Sequence, residues 1–137
     1  FRTTVSQVKD VEQGETIGYS RLGTAGPDCR VATLPVGYAD GLDRRLGNGK
    51  GKVWIRGRLY PLLGSICMDM CMADISDVEG NVVPGDKAIM FNGEISAYDI
   101  AEMTGTISYE VVCRIGMRIP RVYLEGGRVV KVSNYLL

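Results

Sequence analysis

A chain of 137 residues, 45% of them hydrophobic, is long enough to bury a core as one domain (1–137) without disulfide staples. Lys plus Arg equals Asp plus Glu at 16 each, so no net field would recruit nucleic acid or an anionic membrane. No apolar run approaches the roughly 18 residues of a membrane span. The chain opens on Phe1, inside what already reads as a strand, as expected of a piece trimmed from a longer polypeptide. Its four cysteines, Cys29, Cys67, Cys71 and Cys113, are too scattered for a disulfide framework and are expected as free thiols in a reducing cytoplasm. With no histidine, no metal site is expected.

Glycine makes up 18 of 137 residues, nearly twice the usual share of about 7%, and it punctuates short apolar runs. In chain order, strands are expected within Phe1–Val11, Arg30–Val36, Lys52–Ile55, Leu59–Leu63, Ile66–Ile75, Lys87–Phe91, Ile119–Leu124 and Arg128–Val132. Turn signals separate them at Gly47-Asn48-Gly49, Arg56-Gly57, Pro84-Gly85, Asn92-Gly93 and Gly126-Gly127. The Ile66–Ile75 run is apolar on both alternating faces and broken only by Asp69 and Asp74, so it reads as an interior strand whose carboxylates need partners. On that strand Cys67 and Cys71 would share a face at about 13 Å, too far apart for a disulfide.

Two helices are expected late in the chain. Ser96-Ala97-Tyr98-Asp99 has the form of a capping box ahead of Ile100, Ala101 and Met103, and Gly105 ends that helix. Thr106 is expected to cap a second one, carrying Ile107, Val111, Val112 and Ile115 up to Gly116. The fold class is therefore mainly β: a closed or nearly closed β-barrel-like domain with two short late helices.

Candidate chemistry is sparse. Gly37-Tyr38-Ala39-Asp40-Gly41 follows a strand directly, so its tyrosine and aspartate sit at a strand end, where sites are often built. The same string also suits an ordinary turn with an Asx-type aspartate. Tyr19, between Gly18 and Ser20-Arg21, is either a site residue or a half-buried surface aromatic, and Tyr109-Glu110 also suits an amphipathic helix surface. No nucleophile–base pair is visible, and the commonest general base is missing.

Taken in order, Gly37-Tyr38-Ala39-Asp40-Gly41, Gly64-Ser65-Ile66-Cys67-Met68-Asp69 and Ile107-Ser108-Tyr109-Glu110 resemble the C-terminal domain of alanine racemases. Gly14-Glu15-Thr16-Ile17-Gly18-Tyr19 is similar to the segment holding their catalytic tyrosine, and Arg118-Ile119-Pro120-Arg121 to their closing strand. The resemblance runs from about Val5 to Tyr123. It implies a homodimer in which an N-terminal (β/α)8 barrel, absent from this chain, holds pyridoxal 5'-phosphate on a lysine. It implies interconversion of L- and D-alanine for cell-wall synthesis. Tyr19 matches the tyrosine base that exchanges the α-proton on one face of the substrate, in the partner subunit's site. Tyr38 and Arg44 match residues lining the access corridor, Ile107 an apolar position there, and the Met68 N–H a donor to the substrate carboxylate. Tyr109 matches the tyrosine that binds the cofactor phosphate in its own subunit's site.

Racemisation removes a proton from one face of a carbon and returns it on the other, so two bases must flank that carbon. A free tyrosine titrates near 10, and ionising one at pH 7 costs roughly 4 kcal/mol. Without histidine in this chain, the activating cation must come from the barrel or the substrate complex. The chain alone is therefore expected to be inactive. Two departures stand out: the family's usual Val-Ser-Tyr-Gly string reads Ile17-Gly18-Tyr19-Ser20 here, and Ser65 replaces an arginine carried by many members ahead of Cys67-Met68-Asp69. Other readings are a racemase of another small amino acid such as serine, and a non-catalytic β-barrel binding module, against which the balanced charge argues. A decarboxylase of the same fold type would share the architecture, but the chain has no match to its Cys-Asp signature. Fusion of the parent to a cell-wall ligase is also open.

Overall fold

Strands form where side chains that favour burial alternate with ones that tolerate water. The computed structural model describes residues 1–77 and 81–136. Within it, β5 (Cys29–Leu34) buries Cys29, Val31, Ala32 and Leu34, and β6 (Lys52–Ile55) buries Val53 and Ile55. The same alternation buries Tyr60 and Leu62 of β7 (Arg58–Leu63), Cys71 and Ala73 of β8 (Cys71–Asp74), and Ala88 of β9 (Lys87–Ile89). With β1 (Arg2–Thr4) and β2 (Gln7–Val11) these make one antiparallel sheet in the order β1-β9-β6-β7-β8-β5-β2.

The two edges of this sheet, β1 and β2, are consecutive in the chain and separated only by Val5 and Ser6. So short a link spans about 10 Å, so the sheet curls into a half-barrel in which the end of β1 lies close to the start of β2. The crossing is visible in the hydrogen bonds: Val5 N–H donates to Asp86 O at 2.8 Å, and Ser6 N–H donates to Thr33 O at 2.9 Å. One chain thus leaves the β9 side and joins the β5 side. The expected strand Phe1–Val11 is in fact two, broken where it changes partner. Val5, Leu34, Val53, Ile55 and Leu62 fill the interior, none more than 2% exposed.

Local turn chemistry agrees with the sequence. Arg56 (φ 48°) and Gly57 (φ 84°) join β6 to β7 with both central residues at positive φ, as a type I′ hairpin requires. Gly126 and Gly127 do the same between β10 (Arg121–Glu125) and β11 (Arg128–Ser133). This second hairpin exposes both faces, with Val122, Leu124, Val129 and Val130 all exposed. β10 starts later than expected, because Arg121 folds back to donate to the carbonyls of Ile115, Gly116 and Ile119. The minimal pair β3 (Thr16–Ile17) and β4 (Gly23–Thr24) was not expected.

Helix α1 (Ala97–Thr104) begins with the expected capping box: Ser96 Oγ accepts from Asp99 N–H, and the Asp99 carboxylate accepts from Ser96 N–H at 2.7 Å. It lays Ile100 and Ala101 on the core, and Gly105 ends it at φ 67°. Helix α2 (Ser108–Cys113) corrects the second expectation. Ile107 takes the N-cap position without a side-chain bond, Thr106 instead donates to the Glu110 carboxylate, and the helix stops before Gly116. Only Val111 of α2 is buried.

The interior strand expected over Ile66–Ile75 is also shorter. Only Cys71–Asp74 is strand, because Cys67 N–H donates to Met70 O at 2.9 Å and closes a turn. Cys67 and Cys71 therefore do not share a strand face two pleats apart; all four thiols are free, with Cys113 exposed. Among the described residues no helix is long and apolar enough to cross a membrane. Since Leu62 is enclosed on all sides, Leu62→Ala should lower the unfolding free energy by about 2–5 kcal/mol. Urea titration would read this as a lower midpoint with an unchanged slope.

Candidate functional site

Between β7 and β8 the chain turns through Gly64–Met70, and two other segments rest on this turn. On one side, Tyr38 N–H donates to Cys67 O and Ala39 N–H to Met68 O, both at 3.0 Å. The backbones approach so closely that a Cβ on Gly37 would stand 2.2 Å from Cys67 O, which no side chain tolerates. On the other side, Ser65 Oγ donates to Tyr19 O at 3.1 Å. A Cβ on Gly18 would lie 3.1 Å from Ser65 N, and Gly18 itself takes φ 77°, a conformation glycine adopts without cost. Glycine at this position, one residue before Tyr19 rather than one after, therefore has a local cause. Ser20 then bears the strain at φ 62°.

Arg118 ties these segments together. Its Nε donates to Asp40 at 2.6 Å, and its other nitrogen donates to the Asp69 carboxylate. Asp40 also accepts from Gly37 N–H at 2.8 Å, and its carbonyl accepts from Gly116 N–H. The Asp40 side chain is 6% exposed and that of Asp69 56%. The interior carboxylate is thus Asp40, and Asp69, expected inside a strand, sits on an open turn. Hydrogen bonds to Asp40 first, and to Asp69 second, hold the Arg118 guanidinium above its ordinary pKa.

A second charged group borders the first. Arg44 lies over the Tyr38 ring at 5.7 Å, within cation–π reach. Asp43 caps the Arg44–Leu46 turn by accepting from Arg45 N–H, and it pairs with the guanidinium groups of Arg45 and Arg114. The Arg45 hydrogen bond is the main reason its carboxyl titrates below the usual range.

Four of the residues picked from sequence meet here: Tyr19, Tyr38, Arg44 and Met68 are all anchored to, or stacked beside, the Gly64–Met70 turn. Their tips point outward, with Tyr19 70%, Tyr38 43% and Met68 51% exposed. Ile107 and Tyr109 stand apart at the start of α2, exposed, beside a shallow cavity that includes Tyr98 and Glu102. The length of α2, about 9 Å, separates them from the Arg114–Gly116 end that packs on Gly41. Arg118 and Arg114 were not singled out for this role. The only sequence signal for Arg118 is the Arg118-Ile119-Pro120-Arg121 string, which points to a strand, and Arg114 has none. Among the described residues no group of three or more acidic or cysteine side chains is placed to hold a metal.

Because Asp43 titrates low in the folded chain, its contribution to stability is present above about pH 4, the unfolded value. It should fade as pH falls from there through the lowered folded value. Asp43→Asn should make the urea midpoint less sensitive to pH between about 5 and 2.

The family model for the alanine racemase C-terminal domain matches residues 1–123. The alanine racemase of Clostridium novyi is 50% identical over 99% of this chain and 36% of its own length. Among solved structures, alanine racemase of Clostridium difficile 630 in complex with cycloserine superposes with a TM-score of 0.92 at 40% identity, over 99% of this chain and 36% of that one. Alanine racemase from Bartonella henselae with covalently bound pyridoxal phosphate superposes at 0.85 and 28% identity, over 90% of this chain and 34% of that one. This chain spans about a third of the length of the relatives it matches. It belongs to the alanine racemase C-terminal domain family.

Proposed function

We propose that this chain is the C-terminal domain of a cytoplasmic, pyridoxal-phosphate-dependent alanine racemase that interconverts L- and D-alanine for cell-wall synthesis. An N-terminal (β/α)8 barrel and a second subunit complete its site. The observation that carries the reading is an exposed tyrosine held by a hydrogen bond to the turn that also carries a free backbone donor. Tyr19 is hydrogen-bonded through its main chain to Ser65, and three residues on, Met68 N–H meets no acceptor among the described residues. A substrate with a carboxylate and an α-hydrogen needs both groups.

In this reading the Met68 N–H holds the substrate carboxylate and thereby fixes which face of the α-carbon looks at Tyr19. The Tyr19 oxygen takes or returns the α-proton on that face, and a lysine of the barrel serves the other. Tyr38, with Arg44 over its ring, lines the approach, as does Ile107, and these side chains limit water and substrate size. Pyridoxal phosphate, when bound, withdraws the electron pair left on the α-carbon. This chain fits that group as an outer wall rather than as its holder. Tyr109 offers an exposed hydroxyl that can donate to a phosphate oxygen, while the lysines lie on the strands and turns of the barrel-like sheet and the far hairpin, outside this ridge. Tyr19, Tyr38 and Arg44 serve the partner subunit's site and Tyr109 its own. Their separate anchorage, on the Gly64–Met70 turn and on α2, supports that division.

Two measurements test the reading. The chain alone should give no saturable absorbance change on titration with pyridoxal phosphate and should not racemise alanine. In the full-length enzyme, Tyr19→Phe should cut kcat/KM by about 10² to 10⁴, the usual cost of a lost general base. The loss must be equal in both directions, because the enantiomers have equal free energy. In deuterium oxide one enantiomer alone should still exchange its α-hydrogen without inversion, through the base left on the opposite face. If Tyr19→Phe raced at the parent rate while Tyr38→Phe abolished activity, Tyr38 would be the base.

A further inference from the structure

The turn that carries Tyr19 is an unfavourable one. Gly18, Ser20 and Arg21 have φ of 77°, 62° and 53°, a region that residues with a side chain adopt only against a steric penalty. Such a turn persists only where its surroundings over-determine it. Two features hold it in place. The minimal β3–β4 pair closes its base through Thr16↔Thr24 and Ile17↔Gly23, with Gly23 pressed against Gly64 so that a Cβ there would stand 2.8 Å from Gly64 Cα. At the tip, the bond from Ser65 Oγ to Tyr19 O is the one side-chain hydrogen bond to residues 16–24 among the described residues.

Ser65 is 6% exposed, so its hydroxyl is shielded from water by the turn it supports. The Tyr19 ring is 70% exposed, so within this chain packing does not fix where the phenol oxygen stands. That oxygen is placed by the backbone from which the ring springs, and the backbone is pinned at its carbonyl by Ser65. A misplacement of about 1 Å can cost 10²-fold in a positioned reaction.

We propose that Ser65 is a positioning residue for Tyr19: its buried hydroxyl locks the strained Gly18–Arg21 turn and so sets the aim of the phenol. The role rests on Tyr19 being the proton-transferring group. It predicts that the bond contributes to turnover rather than to substrate capture, because Ser65 faces the Tyr19 main chain and not the approach lined by Tyr38 and Arg44.

The test uses the full-length enzyme with Ser65→Ala, which removes one oxygen and leaves the packing. Amide hydrogen exchange in the cofactor-free protein should quicken about tenfold at residues 19–22, and stay unchanged at Val53 and Leu62 in the core. In the holoenzyme kcat should fall about three- to tenfold with KM for alanine unchanged. On a Tyr19→Phe background the same change should cost nothing further, since coupled residues are not additive. Ser6→Ala, which removes a comparable hydroxyl bonded to Thr33 O at 3.0 Å, should alter neither readout. Parent-like exchange at 19–22 and parent-like kcat in Ser65→Ala would overturn the proposal. So would a full, additive loss on the Tyr19→Phe background. If Tyr19→Phe alone had no effect on rate, the base assignment would fall and this role with it, while faster exchange at 19–22 would still register the hydrogen bond itself.

Discussion

Arg118 sits where three pieces of chain distant in sequence must agree. Its guanidinium reaches the buried Asp40 carboxylate on one side and Asp69 on the other. Through Asp40 it is coupled to Gly37 N–H, and through the Asp40 carbonyl to Gly116 N–H. The Tyr38 turn, the Met68 turn and the exit of α2 are therefore one assembly. Asp40 cannot be left alone in its setting, because an unpaired buried carboxylate costs about 3–5 kcal/mol. The pair is consequently worth more for the geometry it enforces than for its net stability. It fixes the spacing between the backbone that offers Met68 N–H and the ring of Tyr38. The close approach at Gly37 acts in the same direction, since any larger residue would force the two turns apart.

The strands and hairpins were legible in the sequence for a simple reason. Short apolar runs separated by positive-φ turn residues specify strands and hairpins locally, and Arg56-Gly57, Gly126-Gly127 and the Ser96 capping box all behaved as their chemistry demands. What local pattern could not supply was the change of partner at Val5–Ser6, which depends on the far ends of the sheet meeting. Nor could it separate strand from turn within Ile66–Ile75. There the alternation of methionines and cysteines is apolar on both faces whether or not the chain is extended. The Cys67–Met70 hydrogen bond decides the matter. Thr106 misled for a related reason: its hydroxyl had a nearby carboxylate, Glu110, as an alternative to capping.

The site was legible only as a set of motifs in order. Composition gave no reason to prefer Tyr19 over the other tyrosines, and Gly37–Gly41 looked equally like an ordinary turn. In the structure Asp40 performs the Asx-type capping of a turn, and the Tyr38 side chain is left partly exposed beside it. Asp69 drew attention for the wrong reason, since it is an exposed partner of Arg118 rather than an interior carboxylate. Arg118 itself was invisible as a site organiser. Its partners lie 78 and 49 residues away, and no periodicity connects positions so far apart.

The arrangement divides labour between main chain and side chain. Tyr19, Tyr38 and Met68 are tied down through backbone groups, and their side chains are left free at 70%, 43% and 51% exposure. A domain that completed its own site would bury such tips against polar partners, because precise chemistry needs supported side chains. Here the support stops at the backbone, as the proposed completion of the site by another surface requires. Charge is distributed differently. Tyrosine needs a neighbouring cation to work as a base near neutral pH. Arg118 and Arg114 are committed to Asp40, Asp69, Asp43 and Glu110, and Arg44 to the Tyr38 ring, whereas Arg21, in the Tyr19 turn itself, has no ion pair among the described residues. In the proposed function this backbone-anchored ledge is one half of the site, and the barrel surface that meets it brings the other.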